Sequence, residues 1–272
     1  MGACFGSDAA ADSSEPTETA DNPVVGKKQQ LTVTATRDVN YNTKLISFSH
    51  EGGVSIPGST SAILCSAPVG EGGAQHVRPY TPLSSDASSL DLMVKVYEPS
   101  GRMSKHLGAL AVGDSVEYDG PKEKLAYSPN MKRSITMLAG GTGITPCMQL
   151  IRLVLDNPDD STKLTLVYAN TEERDILQRD TLEAWAADSA DQLTLVLVLS
   201  SPPDGWSGLS GRIDRPKLEA VEDVAAGPSD DVLVCVCGPP AMYDSICGAR
   251  GQDEELGILG ELGLTKESIF KF

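Results

Sequence analysis

The sequence of 272 residues carries 22 lysines and arginines against 38 aspartates and glutamates, a formal net charge of −16. It has no basic stripe that could neutralise nucleic-acid phosphates, and no apolar run near the roughly 20 residues of a transmembrane helix. The sequence therefore disfavours a nucleic-acid partner and an integral membrane protein.

The first residues are rich in Ala, Asp, Ser, Glu, Thr and Pro, a composition that buries too little apolar surface to fold. We predict a disordered tail over 1–28. Gly2 and Cys4 stand where N-myristoylation and palmitoylation occur, although that pattern has Ser or Thr where this sequence has Gly6. Two interpretations stay open: a cytoplasmic protein held on a membrane surface by an acylated N-terminus, and one with an unmodified tail.

The six cysteines follow no C-x-x-C pattern and no regular spacing, and only three histidines are present. A disulfide framework and a zinc site each need such a pattern. We therefore expect a reducing compartment, in keeping with a cytoplasmic location, and no metal site.

Residues 29–130 contain short runs of alternating apolar and polar side chains, separated by Gly, Pro and Ser. This spacing is typical of a small antiparallel β-barrel. The predicted strands cover 31–36, 62–65, 90–97 and 112–118, and one helix is predicted over 103–110.

Within this region, Arg78, Pro79, Tyr80 and Thr81 combine an arginine, an aromatic ring and a hydroxyl. Arginine can grip a phosphate through two parallel hydrogen bonds. On an extended segment Arg78 and Tyr80 share one face, and Thr81 faces the other way. The motif suits a dinucleotide that carries a flat ring system; the alternative is an edge strand with a surface arginine and a half-buried tyrosine.

The second motif, Gly101-Arg102-Met103-Ser104, opens the predicted helix. We expect Ser104 near the N-cap, and helix N-termini attract phosphate groups. Because the motif follows Arg78 by a few strands, both could serve one pyrophosphate. The alternative is an ordinary turn and helix cap.

From about residue 131 the pattern changes to apolar runs that alternate with helical stretches, with a boundary near 128–133. Alternating strands and helices predict a parallel sheet with crossover helices. The predicted strands cover 135–139, 164–168, 193–199 and 232–237, and the predicted helices cover 145–156, 173–187, 214–222 and 240–248.

An apolar run leads into a glycine-rich turn at 140–143, which is followed by Thr145 and Pro146. This order predicts a strand, a phosphate-approach loop and a helix. The turn lacks the Gly-Lys-Ser/Thr ending of a Walker loop, and Pro146 stands where G-x-G-x-x-G has its third glycine. What remains is a loop that lets a nucleotide approach the main chain.

The last motif, Cys237-Gly238-Pro239-Pro240 followed by Met242, ends a predicted buried strand. Open α/β sheets bind ligands at the carboxyl ends of their strands, so we expect Cys237 at the site of chemistry. No His–Asp partner is visible, which disfavours nucleophilic catalysis by the cysteine. The alternative is a buried cysteine that only packs.

Taken in this order, the motifs at 78–84, 94–97, 101–104, 140–146 and 237–240 resemble those of the NADH-cytochrome b5 reductase family, within the ferredoxin-NADP reductase-like flavoproteins. The likeness covers roughly residues 30–272. It implies an oxidoreductase of two domains that works as a monomer. An antiparallel six-stranded β-barrel over 29–130 would bind FAD, and an α/β parallel-sheet domain over 131–272 would bind a pyridine nucleotide.

The resemblance also implies which residues form the site. Thr81 and Cys237, the predicted catalytic residues, would border the reacting rings of flavin and nicotinamide. The FAD side would be lined by Arg78, Pro79, Tyr80, Thr81, Val94, Lys95, Tyr97, Gly101, Arg102, Met103, Ser104 and Thr145. The nicotinamide dinucleotide would lie on Gly141, Thr142, Gly143, Cys237, Gly238, Pro239 and Met242.

The implied reaction passes electrons from NADH through FAD to a one-electron haem acceptor of the cytochrome b5 type. Two alternatives stay open: a related reductase with a ferredoxin, quinone or ferric-chelate acceptor, and a catalytically silent flavin-binding module. Many NADH-preferring members of the family have an Asp where this sequence has Ser200, so NADPH is not excluded as the donor.

Charge is unevenly distributed along the chain: residues 27–150 carry twelve bases and ten acids, in contrast to the acidic remainder. Electrostatic steering depends on the local field more than on the net charge. We therefore expect a basic docking face for an acidic cytochrome. That face would contain Lys95, Arg102, Lys105, Lys122 and Lys124.

Overall fold

The structure is a computed structural model that describes residues 28–51, 58–225, 227, 229–252 and 254–272. These residues form a seven-stranded antiparallel sheet followed by a six-stranded parallel sheet. The predicted two-domain architecture is confirmed. Gly2 and Cys4, with the rest of the predicted tail up to residue 27, lie outside the described residues.

The first sheet contains β1 (Gln29–Asn40), β2 (Thr43–Ser49), β3 (Ser59–Ala67), β4 (His76–Tyr80), β5 (Ser84–Ser85), β6 (Ser89–Lys95) and β7 (Ser115–Ala126). Hydrogen bonds connect them in the order β4-β3-β7-β1-β2-β6-β5. Only residues 81–83 join β4 at one end of this order to β5 at the other, so the sheet curls into a barrel. The resemblance implies six strands, and the two-residue β5 is the seventh.

Helix α1 (Met103–Ala109) confirms the helix predicted over 103–110, and it buries Met103 and Leu107 in the barrel core. The strand predicted to start at 112 starts three residues later. The reason is a turn, in which the Asp114 carboxylate accepts a hydrogen bond from the Ala111 amide at 2.8 Å and Gly113 has a φ of 95°.

The second sheet contains β8 (Ser134–Gly140), β9 (Lys163–Asn170), β10 (Leu193–Leu199), β11 (Leu209–Ser210), β12 (Val232–Cys237) and β13 (Ile269–Lys271), in the order β11-β10-β9-β8-β12-β13. The connecting helices are α2 (Ile144–Leu155), α3 (Arg179–Asp188), α4 (Arg215–Glu219), α5 (Glu222–Ala225), α6 (Pro240–Ile246) and α7 (Gly257–Glu261). All pairings are parallel, so the carboxyl ends of these strands lie along one edge.

Two predicted helices are each divided in the structure. The helix predicted over 173–187 is a short 3₁₀ turn, Glu173–Asp175, followed by α3, because Gln178 between them takes the left-handed conformation with a φ of 57°. The helix predicted over 214–222 is divided into α4 and α5. Between them the Val221 amide donates a hydrogen bond to the Leu218 carbonyl and forms a tight turn.

The largest apolar cluster joins the two halves of the molecule. Met93, Leu125 and Tyr127 of the barrel half belong to the same buried cluster as Met137 and Ile151 of the second half. The two sheets therefore share a core, which fixes the relation between their edges. Among the described helices, none combines the length and apolar character needed to cross a bilayer.

Candidate active site

The glycine-rich turn has the predicted strand–turn–helix order: β8 ends at Gly140, a 3₁₀ turn covers Gly141–Gly143, and α2 follows. Gly141 has a φ of 54°, and no atom stands within 4 Å of where its Cβ would be. Gly143 differs, because a Cβ there would lie 2.1 Å from the Cys237 carbonyl oxygen. Gly141 thus offers an open surface to a ligand, whereas Gly143 lets the turn pack against β12.

Cys237 ends β12 directly beside this turn, opposite Ala139 of β8. Its side chain is half-buried, and burial raises the pKa of the Cys237 thiol, an effect that the Arg250 guanidinium partly offsets. The thiol is therefore protonated at neutral pH, in agreement with the sequence-based rejection of a nucleophilic role. It can contact or donate to a ligand at the carboxyl edge of the sheet.

The residues that follow Cys237 lead into α6 and lie at the same carboxyl edge of the parallel sheet. The Met242 sulfur stands over both Gly238 and Gly140, close to the positions that their Cβ atoms would occupy. Pro239 is the exposed residue before α6, and the Arg250 guanidinium donates to the Gly238 carbonyl at 3.2 Å. Gly238, Pro239 and Met242 thus lie around Gly140 at the end of β8.

Thr145 lies in the first turn of α2, where its hydroxyl donates to the Thr142 carbonyl at 3.1 Å. One turn later, Gln149 bridges α2 and the barrel. Its Oε1 accepts from the Ser61 amide at 2.9 Å, and its Nε2 donates to the Pro82 carbonyl at 2.9 Å. Gln149 therefore fixes the segment that carries Thr81, a role that no local sequence pattern indicates.

The Arg78 motif occupies β4 and the residue after it. Arg78 and Tyr80 are half-buried with the exposed Pro79 between them, which is the alternation expected of a strand. One guanidinium nitrogen of Arg78 donates to the Val77 carbonyl at 2.9 Å. Thr81 follows the strand and is half-buried.

The second barrel motif lies next to the first, because α1 packs against β4 and β6. The helix begins at Met103, so Arg102 is the N-cap, and Ser104, predicted near the N-cap, lies two residues past it. Ser104 lies in the first turn, buried, with its hydroxyl accepting from the Tyr97 amide at 3.4 Å. Gly101 needs its bare Cα here, since a Cβ would lie 2.6 Å from the Tyr97 carbonyl oxygen.

The end of β6 brings the barrel to the nucleotide domain, because this strand lies against the Gly141–Gly143 turn. Val94 and Met103 are wholly buried in the barrel core, so the structure gives their side chains a packing role. Lys95 is partly exposed, and its ammonium lies 3.5 Å from the Asp175 carboxylate of the nucleotide domain. The end of β6 and the Gly141–Gly143 turn thus bring predicted residues of the two domains together.

A cavity of about 600 Å³ opens farther along the carboxyl edge, beyond β9 and β10. Its lining includes Glu172, Glu173 and Arg174 from the loop between β9 and α3 (residues 171–178, the β9–α3 loop), and Ser201, Pro202 and Pro203 after β10. The Arg174 guanidinium lies 2.7 Å from the Glu172 carboxylate, and Arg179 pairs with Glu173 and Glu183. The cations at this cavity therefore already have carboxylate partners.

The predicted basic docking face is more neutral than its lysines and arginines suggest. Four of its five members lie near a carboxylate: Lys95 with Asp175, Arg102 with Glu71, Lys105 with Glu98 and Lys122 with Asp119, at 2.9 to 3.6 Å. Lys124 is exposed on β7. Within the described ranges, no group of His, Cys, Asp and Glu side chains is arranged to hold a metal ion.

Comparison with known proteins assigns this geometry to a family. Two family models match, "Oxidoreductase FAD-binding domain" over residues 30–127 and "Oxidoreductase NAD-binding domain" over residues 137–248. An NADH-cytochrome b5 reductase-like protein of Arabidopsis thaliana is 40% identical over 266 residues, which cover 94% of this chain and 79% of the relative. The NADH-cytochrome b5 reductase 2 of Aspergillus terreus is 39% identical over 241 residues, 86% of this chain and 75% of the relative.

A solved structure shows the same fold. The cytochrome b5 reductase domain of Ulva prolifera nitrate reductase superposes with a TM-score of 0.77 and 28% identity, covering 93% of this chain and all of that domain. The match spans both sheets and the boundary between them. The chain belongs to the NADH-cytochrome b5 reductase family of FAD- and NAD-binding oxidoreductases.

Proposed function

We propose that the protein passes electrons from NADH through FAD to a one-electron haem acceptor of the cytochrome b5 type. The observation that carries this proposal is the meeting of β6 with the Gly141–Gly143 turn, which places the flavin-side and nucleotide-side residues at one edge. Relatives named NADH-cytochrome b5 reductase, 35 to 40% identical to this chain, support the choice of donor and acceptor.

The residues present fit an FAD on the barrel. Arg78 supplies a guanidinium suited to a pyrophosphate, and α1, packed beside β4, presents the backbone N–H groups of its first turn to the same region. Tyr80 and Thr81 continue from Arg78 toward the domain boundary, where Gln149 holds the Pro82 carbonyl. When bound, FAD takes up two electrons from a nicotinamide and can release them one at a time.

The residues at the carboxyl edge fit a nicotinamide. Gly141 leaves an open surface, and the protonated Cys237 thiol borders it without a charge that would attract or repel the ring. Hydride transfer needs the nicotinamide and flavin rings to be close and aligned. These residues would contribute by binding and orienting the nicotinamide. In this proposal neither Cys237 nor Thr81 has to move a proton.

We propose NADH rather than NADPH as the preferred donor. The adenosine half of the dinucleotide would extend along the strand ends to the cavity beyond β9 and β10. There a carboxylate can accept a hydrogen bond from a ribose 2′-hydroxyl, whereas a 2′-phosphate would meet Glu172 and Glu173. The nearby arginines are already paired with carboxylates, so they offer little compensation to the phosphate.

The acceptor is tested by following haem reduction. Purified protein with NADH should reduce cytochrome b5 much faster than a ferredoxin, a quinone or a ferric chelate, measured at the absorption bands of each acceptor. Faster turnover with a different acceptor would point to the related-reductase alternative. A protein without flavin, or with flavin that never turns over, would point to the silent module.

We also propose attachment of the chain to a cytoplasmic membrane surface through acylation of Gly2 and Cys4, on the basis of the sequence at the N-terminus. Metabolic labelling of the full chain with an alkyne analogue of myristate should modify the wild type and a Ser7→Ala control, and should be lost in Gly2→Ala. Absence of label from the wild type would favour the unmodified tail.

A further inference from the structure

The turn between β1 and β2 is fastened to the β9–α3 loop of the nucleotide domain. The Tyr41 hydroxyl donates to the Asp175 carboxylate at 2.7 Å, and the Asn40 side-chain amide donates to the Arg174 carbonyl at 3.0 Å. The Arg174 guanidinium also lies 4.4 Å from the centre of the Tyr41 ring. Two segments 134 positions apart in the sequence are thus joined by three contacts.

Asp175 is the centre of these contacts. Its side chain is only 4% exposed, and it has partners from both domains: the Tyr41 hydroxyl, the Lys95 ammonium at 3.5 Å and the Glu172 amide at 3.1 Å. A buried carboxylate is strongly unfavourable when its partners are removed. The hydrogen bond from Tyr41 and the ion pair with Lys95 provide those partners from the barrel, so they favour the joined arrangement.

The loop is connected in turn to the glycine-rich turn. The Leu177 amide donates to the Tyr168 hydroxyl at 3.3 Å, and that hydroxyl donates to the Gly141 carbonyl at 3.0 Å. Tyr168 is fully buried, and its burial raises the pKa of the phenol, which therefore keeps its proton. The position of the β9–α3 loop is thus transmitted to Gly141, which presents the open surface for the nicotinamide.

We propose that Tyr41 and Asp175 are positioning residues for hydride transfer, which hold the β9–α3 loop, and through Tyr168 the Gly141 turn, in fixed relation to the flavin barrel. The role rests on the proposed function, because it sets the relation between the hydride donor and the flavin. The two residues act through the loop and need not touch either cofactor. Their arrangement also explains why a buried carboxylate lies within a loop that lines the nucleotide cavity.

The test is the Tyr41→Phe variant, which removes one hydroxyl and keeps the ring beneath Arg174. Hydrogen exchange of the Ile176 and Leu177 amides, measured without any donor, should become about three- to tenfold faster. The limiting rate of flavin reduction by NADH in anaerobic stopped flow should fall about three- to tenfold. The FAD content of the purified variant should equal that of the wild type.

Tyr118→Phe is the matched control, because it removes the hydroxyl that donates to Gln29 inside the barrel at 3.2 Å. It should lower the melting temperature and leave both the loop exchange and the limiting rate unchanged. Unchanged exchange in Tyr41→Phe would overturn the positioning role, and so would faster exchange with an unchanged limiting rate. A wild-type protein that NADH cannot reduce would overturn the proposed function and this role with it.

A double-mutant cycle with Asp175→Asn adds a test of the contact itself. Asn keeps the size of the side chain and loses the charge that faces Lys95. If Tyr41 acts through Asp175, the double variant should reduce its flavin at the rate of the slower single variant. Rates that multiply independently would show that the two residues act separately and would contradict the proposal.

Discussion

The carbonyl oxygen of Cys237 lies 2.1 Å from the position that a Cβ on Gly143 would occupy. This close approach brings the turn after β8, which contains Gly141, onto the end of β12. The site therefore depends on a backbone contact between two strands of the parallel sheet.

Gly143→Ala and Gly141→Ala should have different effects. The first forces β12 and the turn apart, so we expect a loss of about 1–3 kcal/mol in the free energy of unfolding, together with slower flavin reduction. The second adds a methyl group in open space at a left-handed residue, which costs about 1–2 kcal/mol and obstructs the nicotinamide. Urea unfolding and NADH-binding measurements distinguish the two effects. A Gly141→Ala protein with normal NADH affinity would show that the nicotinamide does not lie on the open side of Gly141.

Arg78→Ala should weaken retention of FAD. A charge-assisted hydrogen bond contributes about 1.5–3 kcal/mol, so the dissociation constant of FAD should rise about ten- to a hundredfold. Flavin release can be followed by fluorescence after gel filtration. Arg37→Ala, at an exposed position of β1, is the control and should retain its flavin. Equal retention in both variants would argue against a phosphate contact at Arg78.

The buried Cys65 should make the fold less stable in alkali. Burial raises the pKa of this thiol to about 12 from 9.0, so its contribution to stability is complete below pH 9 and is lost as the pH rises toward 12. At pH 10 the loss from this thiol is about 1.4 kcal/mol. Cys65→Ala should therefore show a shallower fall in the free energy of unfolding between pH 8 and 10, measured with urea.

The control for this pH effect is Ile63→Val, a core substitution two residues away that changes no ionisable group. It should lower stability equally at both pH values. The same alkaline slope in wild type and Cys65→Ala would show that the thiol already ionises freely in the folded protein.

Glu172→Gln should shift donor preference toward NADPH. The change removes one negative charge at the cavity and releases Arg174 from its 2.7 Å ion pair. Repulsion between one carboxylate and the 2′-phosphate of NADPH costs about 1 kcal/mol, so kcat/KM for NADPH relative to NADH should rise about fivefold when it is removed. Glu183→Gln is the control, because Glu183 pairs with Arg179 but does not line the cavity. An unchanged ratio in Glu172→Gln would remove this residue from donor selection.

The parts of the site that the sequence predicts are those with local signals. The apolar run, the glycines and Pro146 mark the β8–turn–α2 unit, and the apolar run before Cys237 marks β12. Their meeting follows from the parallel topology, because both strands end at the same edge. One boundary that differs has a local cause as well: the strand predicted from 112 starts at Ser115, after the turn in which the Asp114 carboxylate accepts from the Ala111 amide.

Tyr41, Gln149 and Asp175 could not be found in this way. Each acts through a partner more than sixty positions away in the sequence, and nothing in the neighbouring residues indicates that partner. Asp175 also accepts from the Glu172 amide in the 3₁₀ turn that replaces the start of the helix predicted over 173–187.

The most direct measurement is anaerobic titration of the purified protein with NADH, followed at the visible flavin absorption band. We expect a yellow protein with one FAD per chain, which one equivalent of NADH bleaches and two equivalents of ferric cytochrome b5 reoxidise. A protein whose bound flavin keeps its absorption with both NADH and NADPH would show that it does not pass electrons from a pyridine nucleotide to FAD.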